Sequence, residues 1–203
     1  MPQTDAEIQA ALDKPGAGLP FQQWAYLRFY IAPFVAARSD WDENWRIFED
    51  VNARIFAKIG GLSDAQLEKR ILVPPIAGLE DSSRYWSVAM TLEHLIIVGE
   101  DVKKLIIALS EGVLLPGKAD VADYKPEYGK SGTAQLAEYK DFVASVKPEI
   151  EPLRAAALAS KARYTHPWAG PFTARQWQWL LGGHTHIHYR QIKEILKGLE
   201  ASG

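Results

Sequence analysis

Between Trp177 and Leu199 the chain repeats apolar residues at steps of three and four, as Trp177, Leu180, Leu181, Ile192, Ile195 and Leu199, with His184, His188 and Gln191 in the same register. That spacing lays a single stripe along one face of a helix, the face that must be buried. Two imidazoles therefore interrupt a core-facing stripe, and a buried imidazole needs a partner. Residues i and i+4 of a helix stand about 5–6 Å apart at Cβ, so both rings can reach one metal ion. His186 is rotated about 200° from His184 at 3.6 residues per turn, and with Arg190, Lys193 and Lys197 it is expected to face solvent. A strand would instead place His184, His186 and His188 on one face. Gly182-Gly183 favours that alternative, because each glycine costs a helix roughly 1 kcal/mol relative to alanine. The length of the repeat and a capping box at Thr173-Ala-Arg-Gln176, just after Pro171, favour the helix.

The rest of the chain reads as helical, and no convincing strand pair stands out. Phe21 to Ala37 carries Trp24, Leu27, Ile31 and Phe34 at helical spacing, with Pro33 expected to kink or break it. The segment after Asp40 holds Trp45, Phe48, Val51, Ile55, Phe56 and Ile59 and should stop at Gly60-Gly61. Ser63-Asp-Ala-Gln66 can cap a short turn, and Val73 to Gly78 reads as a loop. A long helix is expected from about Ser83 to Ser110, with Val88, Leu92, Leu95, Gly99, Val102, Ile106 and Leu109 forming the seam of a bundle and His94 beside it. The polar connection from Glu111 to Gly132 is longer than most bundle loops, which marks it as functional or as a crossover. Leu136, Tyr139, Val143, Val146, Ile150, Leu153 and Ala157 form another repeat, interrupted by Pro148 and Pro152. Lys161 to Phe172 is the last connection, rich in aromatic and rigid residues. The expected architecture is all-α: an N-terminal helical extension over residues 1–40 and a four-helix bundle domain over 41–203.

Composition bounds the function. With 203 residues, 47% of them hydrophobic, the chain can bury one good core. A net charge of −2 gives no general attraction for nucleic acid or anionic lipid. No apolar run approaches a membrane span, and the acidic start lacks the layout of a signal peptide, so a cytoplasmic location is expected. The absence of cysteine removes disulfides, thiolate ligands and a protein thiol nucleophile. The partner implied is a small-molecule substrate, and a homodimer is compatible with all of this.

Thr165-His-Pro-Trp-Ala-Gly-Pro-Phe-Thr-Ala-Arg-Gln-Trp177, followed by His184-x-x-x-His188 and Arg190-Gln-Ile192, resembles the DinB/YfiT-like superfamily of metal-dependent enzymes, whose last helix follows a His-Pro-x-x-Gly-type loop. Thr91-Leu-Glu-His-Leu95 supplies the histidine that the superfamily carries early in its second bundle helix. The resemblance covers about Asp40 to Glu200. It implies a three-histidine metal site at His94, His184 and His188; taken alone, His94 would read as an interior histidine satisfied by its neighbours. The implied ion is divalent, zinc or nickel foremost and manganese allowed, since all three accept imidazole. The resemblance further implies either thiol transfer and isomerisation dependent on a low-molecular-weight thiol, or hydrolysis. A thiol bound to a metal is deprotonated, so thiol chemistry needs no cysteine of the protein's own.

His166 and Gln191 are the further catalytic candidates. His166, beside Pro167, can orient a ligand by a hydrogen bond or simply hold its loop. Gln191 shares the inward face with the histidine pair and can meet a ligand or satisfy nearby backbone groups. Glu93 points about 100° away from His94, which argues against it as a general base. Trp86, Trp168 and Trp177 can line a pocket mouth or pack in the core, and Arg84, Arg175 and Arg190 are candidate anchors for a cofactor carboxylate. No phosphate loop, nucleophile elbow or paired-carboxylate signature is present. A non-catalytic metal- or ligand-binding protein, and an interaction module with histidines in its core, remain the competing classes.

Overall fold

The computed structural model describes residues 4–117, 120–127 and 129–201. A short helix, α1 (Asp5–Ala10), is followed by α2 (Phe21–Tyr26). The helix then runs on as a π-helical stretch over Leu27–Val35 and a 3-10 turn over Ala36–Arg38. Pro33 sits inside the π-helical stretch, where its missing N–H is absorbed by a change of helical pitch, so the expected kink takes this form. The long helix α3 (Trp41–Ile59) starts at Asp40, whose carboxylate accepts from the N–H groups of Asp42 and Glu43, and it ends at Gly60. Ser63 and Gln66 cap the single-turn helix α4 (Asp64–Glu68) reciprocally.

The next helix starts later than the sequence suggests. Asp81–Ser83 is a 3-10 turn, Tyr85–Trp86 forms strand β2 antiparallel to β1 (Ile71–Leu72), and α5 spans Val88–Ser110 with Ser87 as its cap. Ser83 has the same capping chemistry as Ser87, and the pairing of Trp86 with Ile71 decides between them. Helix α6 (Gly132–Ile150) begins on the Ser131 hydroxyl and carries Pro148. The break falls at the 3-10 turn Glu151–Leu153, before α7 (Arg154–Ala159). The last connection is itself a small ladder, β3 (Tyr164–His166) against β4 (Gly170–Phe172), with His166 opposite Gly170. Both ladders correct the expectation of no strand pairs; at two or three residues they are too short to show a period in sequence. The final helix, α8, runs Ala174–Ala201. The Thr173 N–H and hydroxyl both donate to Gln176 Oε1, one half of the expected capping box. The histidine segment is thus a helix and not a strand.

The long helices form a four-helix bundle. Helix α8 packs against both α3 and α5, and α5 packs against α6. The Tyr139 hydroxyl of α6 donates to Asn52 Oδ1 of α3 at 2.5 Å, closing the ring. The order around the bundle is therefore α3, α8, α5, α6, so that α3 and α5 are diagonal. The diagonal crossings lie in residues 60–87, between α3 and α5, and in residues 151–173, between α6 and α8, whereas the long connection after Glu111 joins neighbours. Trp41, Trp45, Phe48, Ile55, Leu92, Ile106, Tyr139, Ile150, Trp177 and Ile192 belong to the single continuous core. The indoles of Trp41 and Trp45 both donate to the Glu151 carboxylate at 2.8 Å, which fixes the end of α6 against the start of α3.

The two glycines of α8 have different reasons. A Cβ on Gly182 would stand 3.0 Å from Ile47 Cγ2 and 3.3 Å from the Phe48 backbone nitrogen. Gly182 thus sets the approach of α8 to α3. A Cβ on Gly183 meets only the Trp179 ring, at 3.8 Å. Gly183→Ala should therefore stabilise the protein by about 0.5–1 kcal/mol through helix propensity. Gly182→Ala should give no such gain, because overpacking by about 1–3 kcal/mol offsets it. Urea unfolding of the two variants checks this, and equal gains at both positions would contradict the close approach.

Candidate metal centre

His94 lies on the second turn of α5, and His184 and His188 lie one turn apart on α8, so the site forms where these two helices pack. The Nε2 atom of His184 is 3.2 Å from that of His94 and 3.2 Å from that of His188. One candidate ligand atom from each of the three rings lies within 4.8 Å of the others, and no carboxylate joins the cluster among the described residues. Three nitrogens each about 2.05 Å from a tetrahedral ion would be separated by roughly 3.3 Å, close to the spacing found here. His186 is exposed on the opposite face.

The outer edges of the rings fix where the protons sit. His94 Nδ1 donates to the Tyr124 carbonyl at 2.6 Å. His188 Nδ1 donates to Gln191 Oε1 at 2.7 Å, and Gln191 Nε2 in turn donates to the Ser83 carbonyl at 2.7 Å. With their protons held on Nδ1, His94 and His188 both present an Nε2 lone pair to the centre of the cluster. Burial pushes His94 down to about 4 and holds His184 and His188 well below the usual histidine range, with neighbouring imidazoles adding to the effect in the latter two. All three rings are neutral at pH 7, the form in which imidazole is a metal ligand. Trp86 lies parallel to the His188 ring at 6.1 Å and tilted against His94 at 5.1 Å.

The rings line a cavity of about 110 Å³ whose other walls include Leu79, Val98, Leu105, Trp168, Trp177 and Leu180. His166 is also on this wall. Its Nδ1 accepts the backbone N–H groups of Trp168 and Ala169, each at 3.1 Å, within the turn between β3 and β4. Burial lowers His166 to about 4. The other candidates divide. Gln191 is fully buried, and its amide is held between His188 Nδ1 and the Ser83 carbonyl. Trp168 and Trp177 line the cavity, whereas Trp86 packs behind the rings.

None of the three arginines serves as an anchor there. Arg84 donates to the Val73 carbonyl and pairs with Asp81 at 2.7 Å, Arg175 donates to the Ala37 carbonyl, and Arg190 reaches the Ala77 carbonyl from an exposed position. Each guanidinium is drawn to a backbone oxygen of a distant segment, which sequence spacing does not reveal. The cation on the wall is Lys125, which sequence reasoning missed. Its three ammonium hydrogens go to Glu80 at 2.8 Å and to the Ser82 and Ser83 hydroxyls at 2.9 Å each. Burial pushes the Glu80 carboxyl up, but Lys125 and the N–H groups of Gly18 and Gly16 outweigh that and hold it low. Glu93 accepts the Glu127 N–H at 3.3 Å, so it is turned to the long connection.

Fold and site together define a helical-bundle protein with three imidazoles directed at one point beside a small cavity. The chain belongs to the DinB superfamily, whose family pattern matches residues 39–192. Among solved structures it is similar to YfiT from Bacillus subtilis, described as a probable metal-dependent hydrolase with an unusual four-helix bundle topology. The match has 16% identity, covers 93% of this chain and 94% of that one, and has a TM-score of 0.55. It is also similar to TT2238, a four-helix bundle protein, at 18% identity over 76% of this chain and 98% of that one, with a TM-score of 0.48. No curated protein matches in sequence. The likeness to YfiT supports the fold. Among the described residues no helix is long and apolar enough to cross a membrane.

The depressed histidines make the metal-free protein acid-sensitive. A group whose folded pKa lies below its unfolded value stabilises the fold above the unfolded value and loses that contribution as pH falls. With His94 and His166 near 4 in the fold and about 6.5 when unfolded, the loss begins near pH 6.5, before the carboxylates titrate. Urea unfolding of chelator-treated protein should lose about 3 kcal/mol between pH 6.5 and 5 from these two groups. A flat profile over that window would contradict the buried, neutral rings.

Proposed function

We propose that this protein is a metal-dependent enzyme in which His94, His184 and His188 hold a divalent ion, zinc or nickel foremost, and a low-molecular-weight thiol attacks or isomerises a small electrophile. The observation that carries the reading is the convergence of three neutral imidazoles beside a cavity, with His184 Nε2 at 3.2 Å from the Nε2 of each of the other two and without a carboxylate to complete a closed site among the described residues. A closed four-ligand set would suit a structural ion, and three ligands suit a catalytic one. When bound, such an ion supplies Lewis acidity that lowers the proton affinity of a thiol or a water at its open position.

The chain's own residues supply orientation and exclusion of solvent. The Tyr124 carbonyl holds the His94 ring and Gln191 holds the His188 ring, each by accepting the Nδ1 proton. Trp86 closes the side of the cluster away from the cavity. The thiol reading is preferred because the carboxylates at the site among the described residues are engaged: Glu80 is paired with Lys125, Asp101 with Lys104, and Glu93 accepts the Glu127 N–H. A thiol, with an ordinary pKa near 8.5, needs the least help in losing its proton. The chain has no cysteine to supply that group itself. Hydrolysis by activated water is the second reading, and the description of YfiT supports it.

His94→Ala, His184→Ala and His188→Ala should each abolish stoichiometric metal binding, as measured by metal analysis of protein reloaded with zinc or nickel, while His186→Ala leaves it intact. Gln191→Ala should weaken metal affinity by about 10–100-fold, the range for residues that orient a ligand. Equal loss at His186 would contradict the helical geometry of the site.

Turnover separates the chemical readings. Metal-loaded protein is assayed with a panel of thiols crossed with small electrophiles, and in parallel with esters and amides. The expected result is product formation that needs both metal and thiol. Metal-dependent turnover indifferent to thiol would replace this reading with hydrolysis, and tight metal binding with no turnover would replace it with a binding protein.

A further inference from the structure

We infer that His166 is a fixed hydrogen-bond donor to the ligand at the three-histidine site, and that this ligand carries an acceptor oxygen next to the atom held by the ion. The inference deepens the metal reading above and rests on it. Its geometric basis is the turn between β3 and β4. The N–H groups of Trp168 and Ala169 both point at His166 Nδ1, and two donors aimed at one ring nitrogen require a lone pair there. The ring proton is therefore on Nε2. Among the described residues no group of the protein accepts from that nitrogen, and His166 lies on the wall of the cavity that the three ligand histidines also line.

The cavity connects the two ends. The three ligand histidines and His166 line the same cavity, so a ligand that fills it meets both. The acceptors on the neighbouring walls are engaged elsewhere, Glu80 with Lys125 and Asp101 with Lys104, while Val98, Leu105 and Leu180 are apolar and Lys125 is itself a donor with all three hydrogens committed. The acceptor must come with the ligand. A carboxylate or carbonyl group meets the requirement, with one atom toward the ion and an oxygen toward His166.

The test uses the full chain loaded with cobalt(II), whose visible bands report on the ligand sphere, and acetate as the probe, because acetate keeps a second oxygen free when the first is bound. His166→Asn places an amide oxygen where Nδ1 stands, so the turn keeps its acceptor while the Nε2 donor is lost. The expected result is that acetate binds at least about tenfold more weakly to His166→Asn. Pyridine, which has no further acceptor, should bind both proteins equally, and the melting temperature should not change. Equal acetate affinity, or a parallel loss of acetate and pyridine, would overturn the inference. Nitrogen-15 NMR of the histidines in metal-free protein adds an arm independent of the ion: an Nδ1–H tautomer at His166 would overturn the inference even if cobalt failed to bind. Failure of cobalt binding with an Nε2–H tautomer would instead count against the metal reading alone.

Discussion

A neutral imidazole inside a protein has one proton and one lone pair, and the rest of this site follows from where the protons are placed. Tyr124 and Gln191 take the Nδ1 protons of His94 and His188, which leaves two lone pairs directed at the third ring. The Tyr124 bond, and the further bond that Gln191 donates, each tie a helix to a loop. The first joins α5 to the connection after Glu111, and the second joins α8, through Gln191, to the carbonyl of Ser83 just ahead of α5. Breaking either would leave an unpaired polar group in a buried setting, a penalty of about 1–3 kcal/mol. The loops are thereby held in place by the same bonds that prepare the site.

Lys125 shows how the fold accommodates charge beside this neutral cluster. An ammonium near three imidazoles would be unfavourable to a second cation, but Glu80 lies 2.8 Å away and compensates it. Glu80 in turn accepts the N–H groups of Gly18 and Gly16. The segment before the bundle is thus coupled by backbone hydrogen bonds to a residue on the cavity wall. Tyr85 and Asp81 add two further ties to the same segment, through Asp5 and the Asp13 N–H.

The sequence carried much of this and not all of it, for reasons that differ by residue. The α8 stripe was legible because 28 residues of helix repeat one pattern many times, and the outward placement of His186 followed from the same period. The ends of α3 were legible because Asp40 and Gly60 are local signals. The start of α5 was not, since Ser83 and Ser87 are equivalent as caps and a strand pairing between distant residues chooses between them. The three arginines are held off the cavity wall by main-chain oxygens without any residue-type signature, joined for Arg84 by the Asp81 carboxylate. Tyr124 contributes to the site only through its carbonyl, and no side-chain pattern could have singled it out. For Gln191 both readings stand together, since its amide accepts from His188 and donates to the Ser83 carbonyl.

The diagonal placement of α3 and α5 bears on how the chain assembles. Helix α8 is the element that lies between them, and it is the last long helix in chain order. Until it docks, α3 and α5 have no common neighbour on that side and the apolar faces that α8 covers stay in water. Contacts of large sequence separation, such as that between Asn44 and Gln178, must form late and slow the search. A chain in which α8 has not docked therefore has neither a closed core nor the full set of three histidines. The centre thus exists only where α8 has docked and the bundle is closed.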